Sequence, residues 1–431
     1  MIAWWPPNRY NDAEGGIVMP NENELAEYAR LVVRIGVNLQ KNQILVINTP
    51  IECAPFARLL AKEAYTAGAH DVVLSWSDEE SARIKYDMAP MAVFSEFPDW
   101  RRTFYMDYAE QGAAFVSIAA RNPEIFAGVA PERLTRTQQA AGAALLEYRQ
   151  RLMSNENTWC VASVPTAAWA KKVFPEADGA EAQEKLWKAI LQTVRIGAGD
   201  AVASWNEHIA FLHRAAEFLN ANDFARLHYT NECGTDLTIE LPEGHVWAGG
   251  SELSATRVPF VANLPTEEVY TLPKRDGVTG TVVATKPLVY QGSLIEHFRL
   301  RFEAGRVVEF HAERGEDVLR ELLATDEGAS RLGEVALVPY DSPISQSGLL
   351  FYNTLFDENA ACHLALGKAY PTCLEGGDKM QSVELLQHGV NDSLLHEDFM
   401  VGSRELAITG TRRADGRDVP VFRHGNFVDF A

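Results

Sequence analysis

The runs QILVIN (residues 43–48) and DVVLSW (residues 71–76) decide the fold class of the N-terminal half. Both have the length and the apolar character of buried strands. Residues 54–67 between them are typical of a helix, with Pro55 in its first turn and Gly68 directly after its end. Two strands that flank a helix form a right-handed crossover with the strands parallel. The stretch therefore predicts an α/β fold with a mostly parallel sheet.

The chain on both sides of this unit continues the alternation of helices and strands. Apolar spacing predicts further helices at residues 21–38, 136–153 and 180–220, and further strands at 114–119 and 159–164. From residue 225 the apolar residues alternate with a period of two, which favours antiparallel strands, including a hairpin at Ala304-Gly305. Helices are predicted there at 316–324 and 357–370, the latter begun by Asp357 and ended by Pro371.

A chain of 431 residues is longer than the size at which single hydrophobic cores stop growing. We expect an N-terminal extension at residues 1–20, which contains Trp4-Trp5-Pro6-Pro7, and two domains. The first, at 21–224, is the α/β domain with the mostly parallel sheet. The second, at 225–431, is α+β and antiparallel-rich, and it is the expected metal-binding catalytic domain.

The charge and the cysteines exclude several classes of protein. With 59 acidic against 39 basic residues and a net charge of −20, the chain has no basic block to attract nucleic acid or an anionic membrane. Its five cysteines are scattered without a C-x-x-C pair, which is typical of a reducing cytoplasm and not of a disulfide scaffold. Since no apolar run is long enough to span a membrane and no signal peptide is recognisable, we predict a cytoplasmic protein.

Residues 355–402 contain the strongest candidates for chemistry. His363 and Tyr370 are seven residues apart, so on the predicted helix they share one face. His396 and Asp398 alternate on a predicted strand, so they point together while Glu397 points away. Imidazole and carboxylate ligands suit zinc, cobalt or manganese. A single histidine on an apolar face is more often a core residue, but the pair with Asp398 favours a metal site.

The sequence contains none of several familiar catalytic or nucleotide-binding motifs. The chain has no G-x-S-x-G, H-E-x-x-H or P-loop sequence, and Gly197-Ala198-Gly199 lacks the third glycine of a dinucleotide fingerprint. His208 and His213 are five residues apart on a predicted helix, which is not a zinc-binding spacing, and we interpret them as surface or interdomain residues.

Four segments together resemble the M29 family of metallopeptidases, the thermophilic-type aminopeptidases. They are NLPTEEVYTLP at 263–273, LGEVALVPYDSPISQSGLLFYNTLF at 332–356, FDENAACHLALGKAY at 356–370 and HEDFMVGS at 396–403. The likeness covers nearly the whole chain after residue 20. It implies a two-domain homodimer with two divalent metal ions in the C-terminal domain.

The resemblance also implies the site residues. The metal ligands would be Glu268, Glu334, His363, His396 and Asp398, of which Glu334 would bridge the two ions. Five such ligands are too many for an ordinary one-zinc hydrolase and suit a metal pair. Tyr370 would act beside them, as a weak metal ligand or as a hydrogen-bond donor to the oxyanion. Glu267 adjoins a ligand and is the candidate for handling the proton or binding the amino terminus, with a structural role as the alternative. Zinc, cobalt, manganese and magnesium are the candidate ions, and the division of the outer ligands between them stays open.

We therefore predict an exopeptidase that removes the N-terminal residue from peptides with a free amino terminus by two-metal-assisted hydrolysis. Two alternatives remain at this point. One is a metal-dependent amidohydrolase that acts on a non-peptide amide. The other is a two-domain binding protein in which a metal has a structural role only.

Overall fold

The computed structural model describes residues 20–197, 199–290 and 293–430. The predicted extension with Trp4-Trp5-Pro6-Pro7 lies outside the described residues. The chain forms two compact units: the first comprises the described part of Met1–Trp205 with Glu252–Leu264 and Leu350–Asn353, and the second comprises Asn206–Ser251, Pro265–Leu349 and Thr354–Ala431. The domain limits expected from the sequence stay a prediction.

The first half contains helices at the four predicted places and three further helices. The helices are α1 Glu22–Leu31, α2 Ala54–Ala67, α3 Glu79–Met88, α4 Asp99–Glu110, α5 Pro131–Ala144, α6 Leu146–Met153, α7 Ala167–Val173, α8 Gly179–Thr193 and α9 Ala201–Asn222. Of these, α3, α4 and α7 were not predicted from the sequence. Asn21 caps α1 in a capping box with Glu24, and a π-helical turn at Val32–Gly36 continues it. The single helix predicted at 136–153 is two helices, α5 and α6.

A parallel sheet forms the centre of the first unit. Its strands are β1 Ile44–Pro50, β2 Asp71–Ser77, β3 Ala114–Ile118 and β4 Trp159–Ala162, and their order is β2-β1-β3-β4. β1 pairs in parallel with both β2 and β3, and β3 pairs in parallel with β4. The predicted parallel β-α-β unit is therefore confirmed. The helix between its strands, α2, ends at Gly68 in the left-handed conformation, as predicted.

Within the described residues, seventeen further strands follow, and most of them belong to the second unit. They are β5 Phe224–Thr230, β6 Asp236–Glu240, β7 Ala248–Gly249, β8 Glu252–Leu253, β9 Pro259–Phe260, β10 Val269–Thr271, β11 Val278–Val283, β12 Leu288–Tyr290, β13 Ser293–Ile295, β14 Arg299–Glu303, β15 Arg306–His311, β16 Leu332–Leu337, β17 His363–Gly367, β18 His396–Met400, β19 Ala407–Arg412, β20 Asp418–Arg423 and β21 Asn426–Phe427. Four short helices accompany them: α10 Glu316–Leu323, α11 Pro343–Ser347, α12 Thr354–Asp357 and α13 Ser382–Gln387.

The second unit contains two main antiparallel sheets and the two-stranded pair β12-β13, as the change of period at residue 225 predicted. The larger has eight strands in the order β15-β14-β11-β6-β5-β19-β20-β21. The smaller has the order β18-β17-β16-β10-β7, and every residue of β16 and β17 is buried. The predicted hairpin is β14 and β15, which pair antiparallel on either side of Ala304-Gly305. Side chains from both sheets meet in one core that includes Leu364, Phe399 and Phe298.

The helix predicted at 357–370 is wrong. Helix α12 ends at Asp357, a 3-10 turn covers Glu358–Ala360, and strand β17 begins at His363. Alanine and leucine favour a helix locally, but β17 lies between β16 and β18 and pairs with both. These tertiary hydrogen bonds and the complete burial of the strand override the local preference. His363 and Tyr370 therefore do not share a helix face.

Among the residues that the structure describes, none of the helices combines the length and the apolar character needed to cross a lipid bilayer.

We predict that Gly367→Ala destabilises the protein strongly. Gly367 has φ +103°, and a Cβ there would lie 2.2 Å from the carbonyl oxygen of Leu395. A left-handed conformation costs a residue with a Cβ about 1–2 kcal/mol, and the overpacking adds about 1–3 kcal/mol. Gly376→Ala is the matched control, because Gly376 has φ +70° and nothing lies within 4 Å of its added Cβ. Thermal unfolding should give the larger loss for Gly367→Ala, and equal losses would contradict the close approach.

Candidate metal centre

The register of the smaller sheet aims the predicted ligands to one face. Glu334 on β16 pairs with Ala365 on β17, which pairs with Asp398 on β18. Directly paired residues of antiparallel strands point to the same side, as do residues two apart on one strand. His363 precedes Ala365 by two, and His396 precedes Asp398 by two. These four side chains therefore project from the same face of the sheet.

Glu268 reaches this face from the neighbouring strand. Tyr270 on β10 pairs with Ala336, which lies two residues after Glu334 and also pairs with His363. Glu268 precedes Tyr270 by two, just before β10 begins. Its carboxylate Oε2 lies 3.3 Å from His363 Nε2. The structure thus brings together all five residues that the sequence predicted as metal ligands.

The two histidines are oriented by main-chain carbonyl groups. The Nδ1 atom of His396 lies 2.7 Å from the carbonyl oxygen of Lys368, and that of His363 lies 3.2 Å from the carbonyl oxygen of Ala361. Since a carbonyl oxygen only accepts, each Nδ1 carries the proton. Each Nε2 therefore faces the carboxylates and is the atom available to a metal, which is the usual support of a metal-binding histidine.

The candidate ligand atoms form two groups that share one residue. Glu268, Glu334 and His363 offer atoms that all lie within 4.8 Å of one another, and so do Glu334, His396 and Asp398. Within the second group His396 Nε2 lies 3.0 Å from Glu334 Oε2 and 3.4 Å from Asp398 Oδ1. Glu334, which is buried, belongs to both groups.

The electrostatics of the centre reflect burial and close packing of charge. Burial lowers the pKa of a histidine, but contact with Glu268 and the charge of Asp398 outweigh it and raise the pKa of His363 to about 10. Against the same effect of burial, Asp398 and Glu334 raise the pKa of His396 to about 11. Burial raises the pKa of Glu334 although His396 opposes it. In the metal-free protein, protons on the imidazoles therefore offset part of the carboxylate charge.

The environment of one carboxylate oxygen, Asp398 Oδ1, indicates whether these residues suit a cation. Asp398 Oδ1 is buried, and within the described parts of the chain no donor makes a hydrogen bond to it. His396 Nε2 lies 3.4 Å from Asp398 Oδ1 and forms an ion pair with it, but the geometry is not that of a hydrogen bond. Although burial raises the pKa of Asp398, His396 and His363 together bring it below its ordinary value. A buried, ionised oxygen without a donor is a coordination position that a metal ion would fill.

Tyr370 and Glu267 take different positions around this centre. The ring of Tyr370 lies 4.9 Å from that of His396, between ring centroids, and burial with the charge of Glu334 raises its pKa. Glu267 is only 2% exposed, and its Oε2 lies 3.5 Å from Nε2 of His208 on α9. Only 9% of the His208 side chain is exposed, whereas the sequence suggested a surface or interdomain residue.

Sequence reasoning missed a further carboxyl group, that of Glu358. Burial, followed by the charges of Glu268 and Asp398, raises the pKa of Glu358 well above its ordinary value, while His363 opposes the shift. The charges of these candidate ligands therefore act on Glu358. The predicted helix treated it as an ordinary acidic residue of a first turn, so the helix error hid it. Its position five residues before His363 in the ENAACH segment was the available signal.

Glu397 is a second acidic residue with a shifted pKa, but it lies on the other face of β18, as the alternation predicted. It pairs with Leu366, one residue away from the row that contains Asp398. Burial and the charge of Asp398 raise the pKa of Glu397 to about 7, with His396 opposing.

Comparisons with known proteins cover almost the whole chain. A sequence model of the family described as Thermophilic metalloprotease (M29) matches residues 21–427. Aminopeptidase 2 of Geobacillus stearothermophilus is 50% identical over 407 residues, which cover 94% of this chain and 98% of that protein. Aminopeptidase AmpS of Bacillus subtilis (strain 168) is 48% identical over 405 residues, with the same two coverages. The solved structure of wild-type AmpT from Thermus thermophilus has a TM-score of 0.88 and 40% identity, and the match covers 95% of this chain and all of that one.

We predict that zinc or cobalt stabilises the chelator-treated protein and that Glu334→Gln reduces this effect most. A ligand that binds only the folded state at 100 times its Kd adds about 2.7 kcal/mol of stability. Because Glu334 belongs to both groups of ligand atoms, its replacement weakens both. Thermal unfolding with and without metal measures the effect. Glu397→Gln, on the opposite face, should keep the wild-type shift, and a wild-type protein without any shift would contradict the metal centre.

Proposed function

This chain belongs to the M29 family of thermophilic metalloproteases, and from that membership we propose that it is an aminopeptidase that removes the N-terminal residue of peptides with two divalent metal ions. The family makes the chain a peptide-bond hydrolase. The observation that carries the two-metal part of the proposal is that Glu334 belongs to both groups of candidate ligands.

The two groups suggest how the ligands are divided. Glu268 and His363 would hold one ion, His396 and Asp398 would hold the other, and Glu334 would hold both. Mixed imidazole and carboxylate donors favour zinc, cobalt or manganese over magnesium. When bound, such ions lower the pKa of a coordinated water and polarise a carbonyl oxygen.

The protein's own residues would complete the chemistry around the ions. Tyr370 has a phenol that ordinarily keeps its proton at neutral pH, so it can donate a hydrogen bond to the oxyanion that develops on the substrate. Its ring packs on that of His396, which supports this position beside the centre.

The proton of the attacking water needs an acceptor. Glu267, the residue predicted from the sequence, has its carboxylate against His208. Glu268 and Asp398 raise the pKa of Glu358 in the metal-free protein, whereas bound cations would favour its ionised form, which can accept a proton. We therefore propose Glu358 as the group that takes the proton and later gives it to the leaving amine, and we keep Glu267 as the alternative.

The partners follow from the same activity. Peptides with a free amino terminus would be the substrates, and the homodimer and the cytoplasmic location stay predictions.

Chelation tests the proposed activity directly. Dialysis against a strong chelator should abolish hydrolysis of leucine p-nitroanilide, and cobalt or zinc should restore it, because the proposed mechanism depends on a metal ion to lower the pKa of the attacking water. N-acetyl-leucine p-nitroanilide should not be cleaved, since its amino terminus is blocked. Full activity of a sample shown by elemental analysis to contain no metal would refute the proposal, and equal rates on both substrates would favour an amidohydrolase.

Exchange of the two candidate proton acceptors separates their roles. Glu358→Gln should lower kcat by about 10²–10⁴-fold, the usual contribution of a positioned acid or base, while the metal content stays at the wild-type level. Glu267→Gln should have a smaller effect on kcat. Glu397→Gln is the control, because it removes a half-buried carboxyl next to Asp398 on the opposite face. Wild-type kcat for Glu358→Gln together with a large loss for Glu267→Gln would reverse the assignment.

A further inference from the structure

Glu268 stands out among the candidate ligands because it lies outside a strand. Glu334, His363, His396 and Asp398 belong to β16, β17 and β18, whose paired backbones fix their positions. Glu268 precedes β10, which is only three residues long. A metal ligand has to be held within about 0.5 Å of its productive position by supporting contacts. The residues before Glu268 must therefore be fixed by something other than strand pairing.

Two buried side chains hold these residues. His208 Nε2 lies 2.9 Å from the carbonyl oxygen of Thr266, and the main-chain N–H of Glu267 donates to Asn359 Oδ1 at 2.8 Å. His208 has 9% of its side chain exposed, and Asn359 is fully buried. Hydrogen bonds from these two side chains thus reach both of the consecutive residues before Glu268.

The chemistry of these contacts defines what His208 must supply. A carbonyl oxygen only accepts, so His208 Nε2 carries the hydrogen and donates it to Thr266. The carboxylate of Glu267, 3.5 Å from the same nitrogen, favours that protonated nitrogen further. Asn359 contributes from the other side, and its amide also donates to the carbonyl oxygen of Leu355 at 3.3 Å.

We propose that His208 is a positioning residue for the metal centre, which by its Nε2–H hydrogen bond to Thr266 fixes the backbone that aims Glu268 at the ion it shares with His363. The inference rests on the proposed metal centre and deepens it. It predicts an asymmetric effect, because His208 supports only the group formed by Glu268, Glu334 and His363. The ligands His396 and Asp398 of the other group are held by the pairing of β18 with β17 and by the contact of His396 Nδ1 with the carbonyl oxygen of Lys368.

A merely structural histidine would behave differently. Loss of its hydrogen bond would lower the unfolding temperature and leave the affinity for metal unchanged. If His208 positions Glu268, loss of its hydrogen bond instead weakens the binding of one ion, because supporting contacts of metal ligands typically contribute about 10–100-fold to metal affinity. Metal affinity, measured without substrate, therefore separates the two roles.

The test is a calorimetric titration of the chelator-treated protein with Co²⁺, which measures metal affinity. Thermal unfolding of the same metal-free samples measures stability. His208→Ala should weaken one of two binding events by about 10–100-fold and leave the other within a few-fold. His208→Gln should restore most of the affinity, because its amide carries an N–H donor at a similar distance from the backbone. His213→Ala is the matched control, since His213 lies on the same helix, is exposed, and contacts Ser251 Oγ at 3.0 Å.

Wild-type affinity for both ions in His208→Ala overturns the inference, whether or not its unfolding temperature falls. If His208→Ala does not fold, His208→Leu is compared with His208→Gln instead, because leucine fills the volume without a hydrogen-bond donor. Equal metal affinities of these two variants would also overturn the inference. A wild-type protein that binds no Co²⁺ refutes the metal centre itself, and that failure is distinct because it appears before any variant is compared.

Discussion

The pairing register of strands β10, β16, β17 and β18 is the constraint on which the candidate centre depends. Because side chains alternate across a sheet, a slip of one residue on any of these strands would turn its ligand to the opposite face. The residues that lie between the ligands on the same face are small. Ala336 pairs with His363, and Ala365 lies between Glu334 and Asp398. A larger side chain at either position would occupy the space in which the carboxylates and imidazoles meet.

The same arrangement concentrates negative charge where water is scarce. Glu268, Glu334, Glu358 and Asp398 interact with one another, and burial of one ionised carboxylate without a partner is expensive. In the metal-free protein the imidazoles of His363 and His396 hold protons and reduce this cost. Metal ions would replace those protons as the compensating charge, because a histidine ligand must be neutral to coordinate. The centre therefore has the electrostatics of a cation site and not of a stable cluster of ion pairs.

The success of the sequence predictions follows from where the determining contacts lie. Helix α2 and strands β1 and β2 are specified by local apolar spacing, Pro55 and Gly68, so the pattern alone predicts them. The pair His396 and Asp398 was recognised because a strand keeps its alternation visible in the sequence. The helix predicted at residues 357–370 was wrong because an alanine- and leucine-rich run suits both a helix and a strand buried on both faces. Only the pairing of β17 with β16 and β18 decides between the two.

The segment ENAACH at residues 358–363 shows why a list of ligands does not describe such a site. His363 offers its imidazole, and the carbonyl oxygen of Ala361 orients that ring. Asn359 holds the main chain of Glu267, one residue before the ligand Glu268. Cys362 is no reactive thiol: its Sγ accepts the N–H of Val338 and donates to the carbonyl oxygen of the same residue, each at 3.3 Å. Consecutive residues thus face the cluster of candidate ligands, the backbone beside a ligand and the neighbouring strand in turn. Because these contacts involve main-chain atoms, a substitution that merely shifts this backbone would displace the candidate ligands without replacing one.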